Sequence, residues 1–406
     1  MMLSQTPRTA LLPTLTAISA LGMVASTIYV PSVIEIADAL GTSVARVQLT
    51  FVGYLAAFAL GMLVLGPLSD HYGRRRTLVF GLCLCTLCSV LCMLCASIEW
   101  LIVARIGQGF GACAGMVVGR ATTRDVYGRD GAAQVIAGRA IATTILQSLA
   151  PVLGGYLQAW SGWRTNFAAV ALFGGLAVAL ALAYIPETRE RNGAPLRLGA
   201  IFGSYRTVVG SRRFLAYALA GTGAHAGFHV FAAGAPAVLI GTFGVYFKDY
   251  GFYAALPPVG FLVGSFLSNR LSRRLGVDRM IGIGGAVLIP TGMVIVMLAL
   301  LHVANPYAVI APMVLICCGS GLITPNAIAG GIGVNPKIVG SASALYGFLQ
   351  MAGASAATAL LSLGGSGSHL TLAIVIAGLG LFAIASFAFL IEPATTRRPL
   401  PVAAGD

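Results

Sequence analysis

Phe51–Leu65 and Thr77–Cys95 are apolar runs without a single charge, and between them stands Gly66-Pro67-Leu68-Ser69-Asp70-His71-Tyr72-Gly73-Arg74-Arg75-Arg76. Such runs read as bilayer-spanning helices, because a helix crossing the roughly 30 Å hydrocarbon layer satisfies its own backbone hydrogen bonds. The charged turn between them then lies at a membrane surface, and its arginines place it on the cytoplasmic side. The same scan along the chain gives twelve spans, at about 10–31, 46–66, 77–97, 100–120, 134–158, 164–186, 213–238, 250–269, 280–302, 306–331, 338–362 and 369–391. The expected molecule is an all-α membrane protein with twelve transmembrane helices.

With 58% hydrophobic and 9% charged residues and a mean hydropathy of +0.90, the composition excludes a soluble domain of this length. A net charge of +13 would by itself fit a nucleic-acid binder. Placement removes that reading. Arg105, Arg120 and Arg139 fall in helices or at their ends, Arg46, Arg164 and Lys248 on one side, and the other basic residues on the opposite side. That is the positive-inside pattern, with both termini cytoplasmic, the lipid bilayer as partner and no nucleic acid required.

The one long connection, Glu187–Arg212, carries Arg189, Arg191, Arg197, Arg206 and Arg212 with Asn192-Gly193 and Pro195. It reads as a basic cytoplasmic linker, 187–212, between an N-terminal six-helix bundle, 1–186, and a C-terminal six-helix bundle, 213–406, with a short cytoplasmic tail. A short helix on the headgroups is expected within it. Gly264-Ser265-Phe266-Leu267-Ser268-Asn269, followed by Arg273 and Arg274, sits after span 8 about where Gly66–Arg75 sits after span 2. That is the mark of two parallel repeats. Met1–Arg8 followed by Thr9–Val30 has too long an apolar run, and no small-residue cleavage site, for a signal peptide.

Of eight cysteines, Cys83, Cys85, Cys88, Cys92 and Cys95 share one span, and Cys113, Cys317 and Cys318 lie in others. No histidine or acid accompanies them, so they read as small packing residues and no metal is expected. No cofactor is expected either. Arg105 lies well inside span 4 with Gln108 on its face. A guanidinium there must face water or a ligand, or be tied to carbonyls of neighbouring helices. His225 and His229, one turn apart in span 7, put two imidazoles on one face, as proton carriers or substrate ligands, or as hydrogen-bonding partners across helices. Asn326 in span 10 offers a donor and an acceptor to a cavity or to a neighbouring helix. None of the 12 acids falls in the middle of a span. Glu35 and Asp38, beyond Pro31 towards the outer mouth, come nearest and join the two histidines as proton-coupling candidates.

Gly66, Leu68, Asp70, Gly73, Arg74 and Arg75 match the pattern G-x-L-x-D-R-x-G-R-[RK] and resemble the signature between helices 2 and 3 of the major facilitator superfamily, with His71 where arginine is usual. Leu101-x3-Arg105-x2-Gln108-Gly109-x-Gly111-Ala112 is similar to that superfamily's helix-4 motif. Pro151, Gly154 and Gly155 keep the core of its antiporter helix-5 motif, G-P-x-x-G-G, with Ala150 in place of the first glycine. Ser26-Thr27-Ile28-Tyr29-Val30-Pro31 resembles the Asp-x-Tyr-x-Pro element of the bicyclomycin- and chloramphenicol-resistance branch of the drug:proton antiporters, with Thr27 in place of the acid.

The resemblance implies two pseudo-symmetric six-helix bundles, the major facilitator fold, in a monomer of the bacterial inner membrane. It implies a secondary transporter, not an enzyme, exporting a small molecule by alternating access in exchange for protons. The cargo would be antibiotic-like or a self-made metabolite such as a siderophore. On this reading Thr27, Tyr29, Arg105, Gln108, His225, His229 and Asn326 meet the cargo. Gly66, Asp70, Gly73, Arg74, Arg75 and Asp125 form a cytoplasmic gate, with Asp70 facing the start of span 11 near Lys337–Ser341; simple topological anchoring fits the arginines as well. An arginine without a fixed acid favours an anionic, zwitterionic or hydroxyl-rich solute. A proton-coupled uptake permease for an anionic or polar solute is the alternative. An intramembrane enzyme is disfavoured, since no His-Glu-x-x-His, paired intramembrane acids or Ser/His spacing appears.

Overall fold

The computed structural model describes residues 8–188, 198–334, 339–364 and 367–391, and among them it is a bundle of helices without strands. Twelve of these helices are long and apolar enough to cross a membrane. In chain order the helices are α1 (Ala10–Ala39), α2 (Val44–Tyr72), α3 (Arg74–Leu94), α4 (Ile98–Gly128), α5 (Gly138–Ser161), α6 (Arg164–Tyr184), the short α7 (Leu198–Val209), then α8 (Arg212–Thr242), α9 (Phe247–Leu275), α10 (Val277–Leu300), α11 (Tyr307–Ile332), α12 (Val339–Leu363) and α13 (His369–Leu390). The short helix expected in the linker is therefore present as α7. Tyr205 on it donates to the Leu63 carbonyl of α2 at 3.2 Å, and the helix also touches α12 and α8.

The expected turn 66–76 is almost entirely helical. α2 runs unbroken through Tyr72 and α3 starts at Arg74, so only Gly73, at φ 104° and ψ 148°, is out of helix. The reason is length. The 29 residues of α2 make a rod of about 43 Å, longer than the hydrocarbon layer is thick, so Gly66–Tyr72 keeps its internal hydrogen bonds while projecting beyond it. The same one-glycine corner recurs between α9 and α10 at Gly276, φ 80° and ψ 163°. Gly276 is therefore the counterpart of Gly73, a few residues beyond the position that Arg273 and Arg274 marked in the sequence.

α4 and α5 are one helical run broken at Gly128, φ 68°. α1 breaks after Thr27, passes through a 3-10 turn at Val30–Ser32 and ends in Val33–Ala39. Pro31, lacking a backbone donor, sits in that turn. In the second half α8 gives way at Ala237–Thr242 to a wider π turn.

α1–α6 and α8–α13 each pack among themselves, and the two bundles meet through α2 with α12 and through α4–α5 with α9. At one end they are bonded together: Gln48 Nε2 donates to the Ala233 carbonyl at 3.1 Å, Ser362 Oγ to Gln48 Oε1 at 3.1 Å and Ser355 Oγ to the Val52 carbonyl at 2.9 Å. This is the end opposite Gly73.

Gly73 carries two separate demands. Its φ and ψ fall where only glycine is at ease, at a cost of about 1–3 kcal/mol for other residues, and an added Cβ would lie 2.6 Å from Glu187 Oε2. Gly276 shares the backbone demand but faces open space. Both Gly73→Ala and Gly276→Ala should lower the unfolding midpoint of the purified protein, Gly73→Ala by clearly more; equal midpoints would show that the Glu187 contact constrains nothing.

Candidate functional site

Arg105 is completely buried in the N-terminal bundle. Its guanidinium carbon lies 4.4 Å and 4.3 Å from the ring centres of Tyr29 and Tyr54, with Phe167 at 5.9 Å. Nη1 donates to the Ala25 carbonyl at 3.0 Å and to Gln108 Oε1. Gln108 passes the chain on by donating to Ser89 Oγ at 2.7 Å, and Ser89 donates to the Cys85 carbonyl at 2.7 Å. The two tyrosines are themselves fixed, Tyr29 against Thr50 Oγ1 at 2.9 Å and Tyr54 to the Gly22 carbonyl at 2.6 Å. A desolvated cation between two aromatic faces is worth about 2 kcal/mol or more. Here it fastens α1, just before its break, to α2, α3 and α4.

Of the two arrangements open to Arg105 from the sequence, this is the one tied to backbone carbonyls. Arg105, Gln108 and Tyr29 do not line the space between the bundles.

That space is a cavity of about 220 Å³. From the N-terminal bundle it is lined by Met23, Met62, Met116, Arg120, Thr143, Thr144 and Gln147, and from the other by His225, Phe228, Thr324, Tyr346, Gln350 and Met351. Its walls run down to Ile332 and Ser343, at the Gly73 end of α11 and α12, so it opens towards that end while the Gln48 and Ser362 bonds close the other. A larger groove of about 560 Å³ lies on the C-terminal bundle around Arg213, Tyr217 and Asp278, away from the interface between bundles.

Of the expected cargo residues, His225 lines the cavity. His229 is buried one turn above, its ring 4.6 Å from that of His225 and its Nδ1 3.4 Å from the His225 carbonyl, so the spacing does bring the two imidazoles together. Thr27 sits over the cavity roof in a crevice beside Gln147 and Phe228, its hydroxyl 3.2 Å from the Met23 carbonyl. Asn326 is buried and donates to Ser268 Oγ on α9 at 2.6 Å and to the Leu322 carbonyl at 2.8 Å, the interhelical arrangement. Glu35 and Asp38 stand at the closed end; Glu35 Oε1 accepts from the Trp163 backbone at 3.4 Å, and Asp38 is exposed.

Arg120, Thr143, Gln147 and Thr324 had not been singled out as cargo contacts. The available signal was polar residues recurring at one-turn intervals in apolar helices, Thr143 with Gln147 and Ser320 with Thr324, beside the basic Arg120.

At the Gly73 end the expected gate residues do form a cluster. Arg74, almost wholly buried, bridges to Asp70 at 2.7 Å and to Asp125 at 3.1 Å and donates to Ser69 Oγ at 2.6 Å. Its backbone amide donates to Glu187 Oε1 at 2.6 Å, and Thr188 donates to Asp125 at 2.9 Å. Arg75 reaches the Leu182 carbonyl. Gly66 lies within α2, where an added Cβ would meet Val117 at 3.7 Å. The expected approach of Asp70 to the start of span 11 involves Lys337, which lies outside the described residues.

In α5, a Cβ on Gly155 would come within 2.8 Å of the Phe247 carbonyl of α9, and one on Gly154 would strike the Ile28 carbonyl at the break of α1. Pro151 lies on this contact, since a side chain on Gly251 would meet its carbonyl at 2.9 Å. Among the described residues no three histidines, cysteines or acids stand together in a way that could hold a metal.

This geometry separates the enclosed Arg105 from the cavity-exposed Arg120 by access to water. In a cysteine-free chain, a hydrophilic maleimide should modify Arg120→Cys and leave Arg105→Cys unmodified until the protein is denatured; rapid labelling of both would contradict the enclosed placement of Arg105.

The Major Facilitator Superfamily profile matches residues 15–358. Relatives include a bicyclomycin resistance protein homolog of Haemophilus influenzae, 28% identical over 80% of this chain and 81% of its own length. Multidrug resistance protein D of Escherichia coli is 28% identical over 84% and 85%, and a chloramphenicol resistance protein of Pseudomonas aeruginosa 29% over 78% and 75%. Among solved structures, a D-xylose-proton symporter superposes with a TM-score of 0.77 at 16% identity over 97% of this chain and 99% of its own. A bacterial homolog of the human lysosomal transporter Spinster, in an inward-facing form, gives 0.70 at 17% over 95% and 97%. With the helix-2/3 signature, the twelve membrane helices and the profile match in agreement, this chain belongs to the major facilitator superfamily of membrane transporters.

Proposed function

We propose that this protein exports a small molecule from the cytoplasm of a bacterium, in exchange for protons, by alternating access. The observation that carries this reading is the cavity between the bundles, closed at one end by the Gln48, Ser355 and Ser362 hydrogen bonds and open at the other. The arginine-rich Gly73 end is the cytoplasmic one by the positive-inside rule, so both ends of the described chain are cytoplasmic and the cavity faces inward. The moving parts are the bundles 1–186 and 213–406, joined by the linker 187–212. Export, rather than uptake, is supported by relatives named for resistance to bicyclomycin and chloramphenicol and for multidrug resistance. Their names extend here to the class of cargo: an antibiotic-like compound or a self-made metabolite such as a siderophore.

In α1 Thr27 stands where the resembling antiporters have their acid, and the carboxylates that α1 does carry, Glu35 and Asp38, lie beyond its break at the closed end. His225 and His229 take that place in this reading, because they sit in contact at the cavity roof and histidine changes charge nearest neutral pH. The Arg74, Asp70 and Asp125 cluster, held together within the N-terminal bundle, forms that bundle's side of the cytoplasmic gate as the two bundles rock.

The test is direction. In inside-out membrane vesicles acidified in their lumen, cargo found by comparing the metabolites of cells with and without the gene should accumulate inside and be lost when the gradient is collapsed. Accumulation in right-side-out vesicles under an inward proton gradient would establish uptake instead.

His225→Ala and His229→Ala should each abolish the response to the gradient while the protein still reaches the membrane at normal levels. Unchanged, gradient-dependent transport in both would remove the pair from coupling.

A further inference from the structure

We propose that the central cavity is an anion-binding site in which Arg120 holds the carboxylate of a small amphipathic organic acid. The argument starts from charge. Among the described residues lining the cavity there is no acid, and Arg120 is the one permanently charged side chain. It is exposed to the cavity, with no hydrogen bond or ion pair to any described residue.

Its neighbours are treated differently. Arg139, almost wholly buried, has its two terminal nitrogens bonded to the Gly119 carbonyl at 3.0 Å, the Leu15 carbonyl at 2.9 Å and the hydroxyls of Thr123 and Ser19. That guanidinium is held against Gly119, the residue before Arg120, and brings a second positive charge with no ion pair to any described acid. An arginine within membrane thickness is costly unless it faces water or a negative partner, and its planar fork suits a carboxylate.

The opposite wall gives an independent sign. His225 Nε2, Thr324 Oγ1 and Tyr346 Oη are buried and have no hydrogen-bond partner, and all three residues line this cavity. Buried polar atoms are almost always paired, so these unpaired groups on the residues of one wall are donors and acceptors that a small side-chain turn offers to a ligand, although Tyr346 Oη itself packs against Gly221 here. Between the charged wall and these atoms the lining is apolar and adaptable: Met23, Met62, Met116 and Met351 with Phe228 and Phe261. A molecule complementary to the whole surface carries one anionic end, an apolar body and a few hydrogen-bonding groups. A lipophilic cation meets no counter-charge here and is repelled by Arg120. The cavity volume, about 220 Å³, lies below the roughly 300–1,000 Å³ usual for drug-sized ligands, which sets the cargo at the small end.

This assignment names the cargo class for the exporter reading and rests on it only for the direction of travel. The test uses purified protein without any gradient. Thermal-shift and thermophoresis titrations compare 4-phenylbutyrate, indole-3-acetate and salicylate with their uncharged primary amides. A charge-assisted hydrogen bond to the Arg120 guanidinium within the cavity predicts acids binding about tenfold or more tightly than amides. Arg120→Gln should erase that preference, and Arg120→Lys should keep part of it.

Equal binding of acid and amide to the wild type, absence of binding by every acid, or a preference that survives in Arg120→Gln overturns the assignment. The last result is also the one expected if Arg120 merely reaches for water at the cytoplasmic mouth. The wild-type comparison decides even where a variant fails to fold. Acid-selective binding without gradient-driven accumulation would refute export and leave the anion site standing. Accumulation of cationic or neutral cargo without acid selectivity would refute the anion site alone.

Discussion

Every positive charge placed within the thickness of a membrane must find a partner there, and this constraint sorts the arginines of the protein by what they do. Arg105 finds two tyrosine faces, a glutamine and a carbonyl, and becomes a rivet between helices. Arg139 finds two carbonyls and two hydroxyls. Arg74, at the membrane surface, finds two acids. Arg120 finds none of these among the described residues and stands in the cavity between the bundles. A guanidinium bonded to neighbouring helices holds structure together, even where, as in Arg105 and Arg139, some of its nitrogens stay unpaired, whereas one that faces a cavity is available to a ligand.

Much of the architecture was legible from apolar run length alone, because in hydrocarbon a charge-free run has hardly any choice but to be a helix. Several helices came out longer than their runs, as α2 does through Gly66–Tyr72 and α9 through Leu275, since a helix does not stop where its side chains become polar; some stop where glycine permits a corner, at Gly73, Gly128, Gly162 and Gly276. The one-turn spacing of His225 and His229 translated directly into touching rings, for the same reason of helical regularity.

The site was less legible. Sequence identifies an arginine inside a span but not the direction its helix faces, and α4 presents Arg105 to the core of its own bundle and Arg120 to the space between bundles. The two positions are 15 residues apart, and the acceptors that settle the matter, Ala25 for Arg105 and the absence of any described partner for Arg120, lie on other helices or nowhere. Asn326 illustrates the same limit: its neighbour Thr324 lines the cavity while Asn326 itself bonds to Ser268 of α9.

The contacts between bundles are of two kinds, and the proposed alternating access rests on the difference. Close glycine contacts, Gly155 with Phe247 and Gly251 with Pro151 and Val152, allow backbones to slide with little to break. The hydrogen bonds of Gln48, Ser355 and Ser362 are few and confined to one end, so in the proposed motion opening that end breaks few bonds among the described residues. The most direct measurement of the proposed rocking is double electron–electron resonance on two spin-label pairs, Asp38 with Tyr246 at the closed end and Tyr72 with Arg274 at the open end, followed from acid to alkaline pH. The account predicts two populations in each pair that exchange reciprocally, one end opening as the other closes. A single unchanging distance in both pairs at every pH would contradict it.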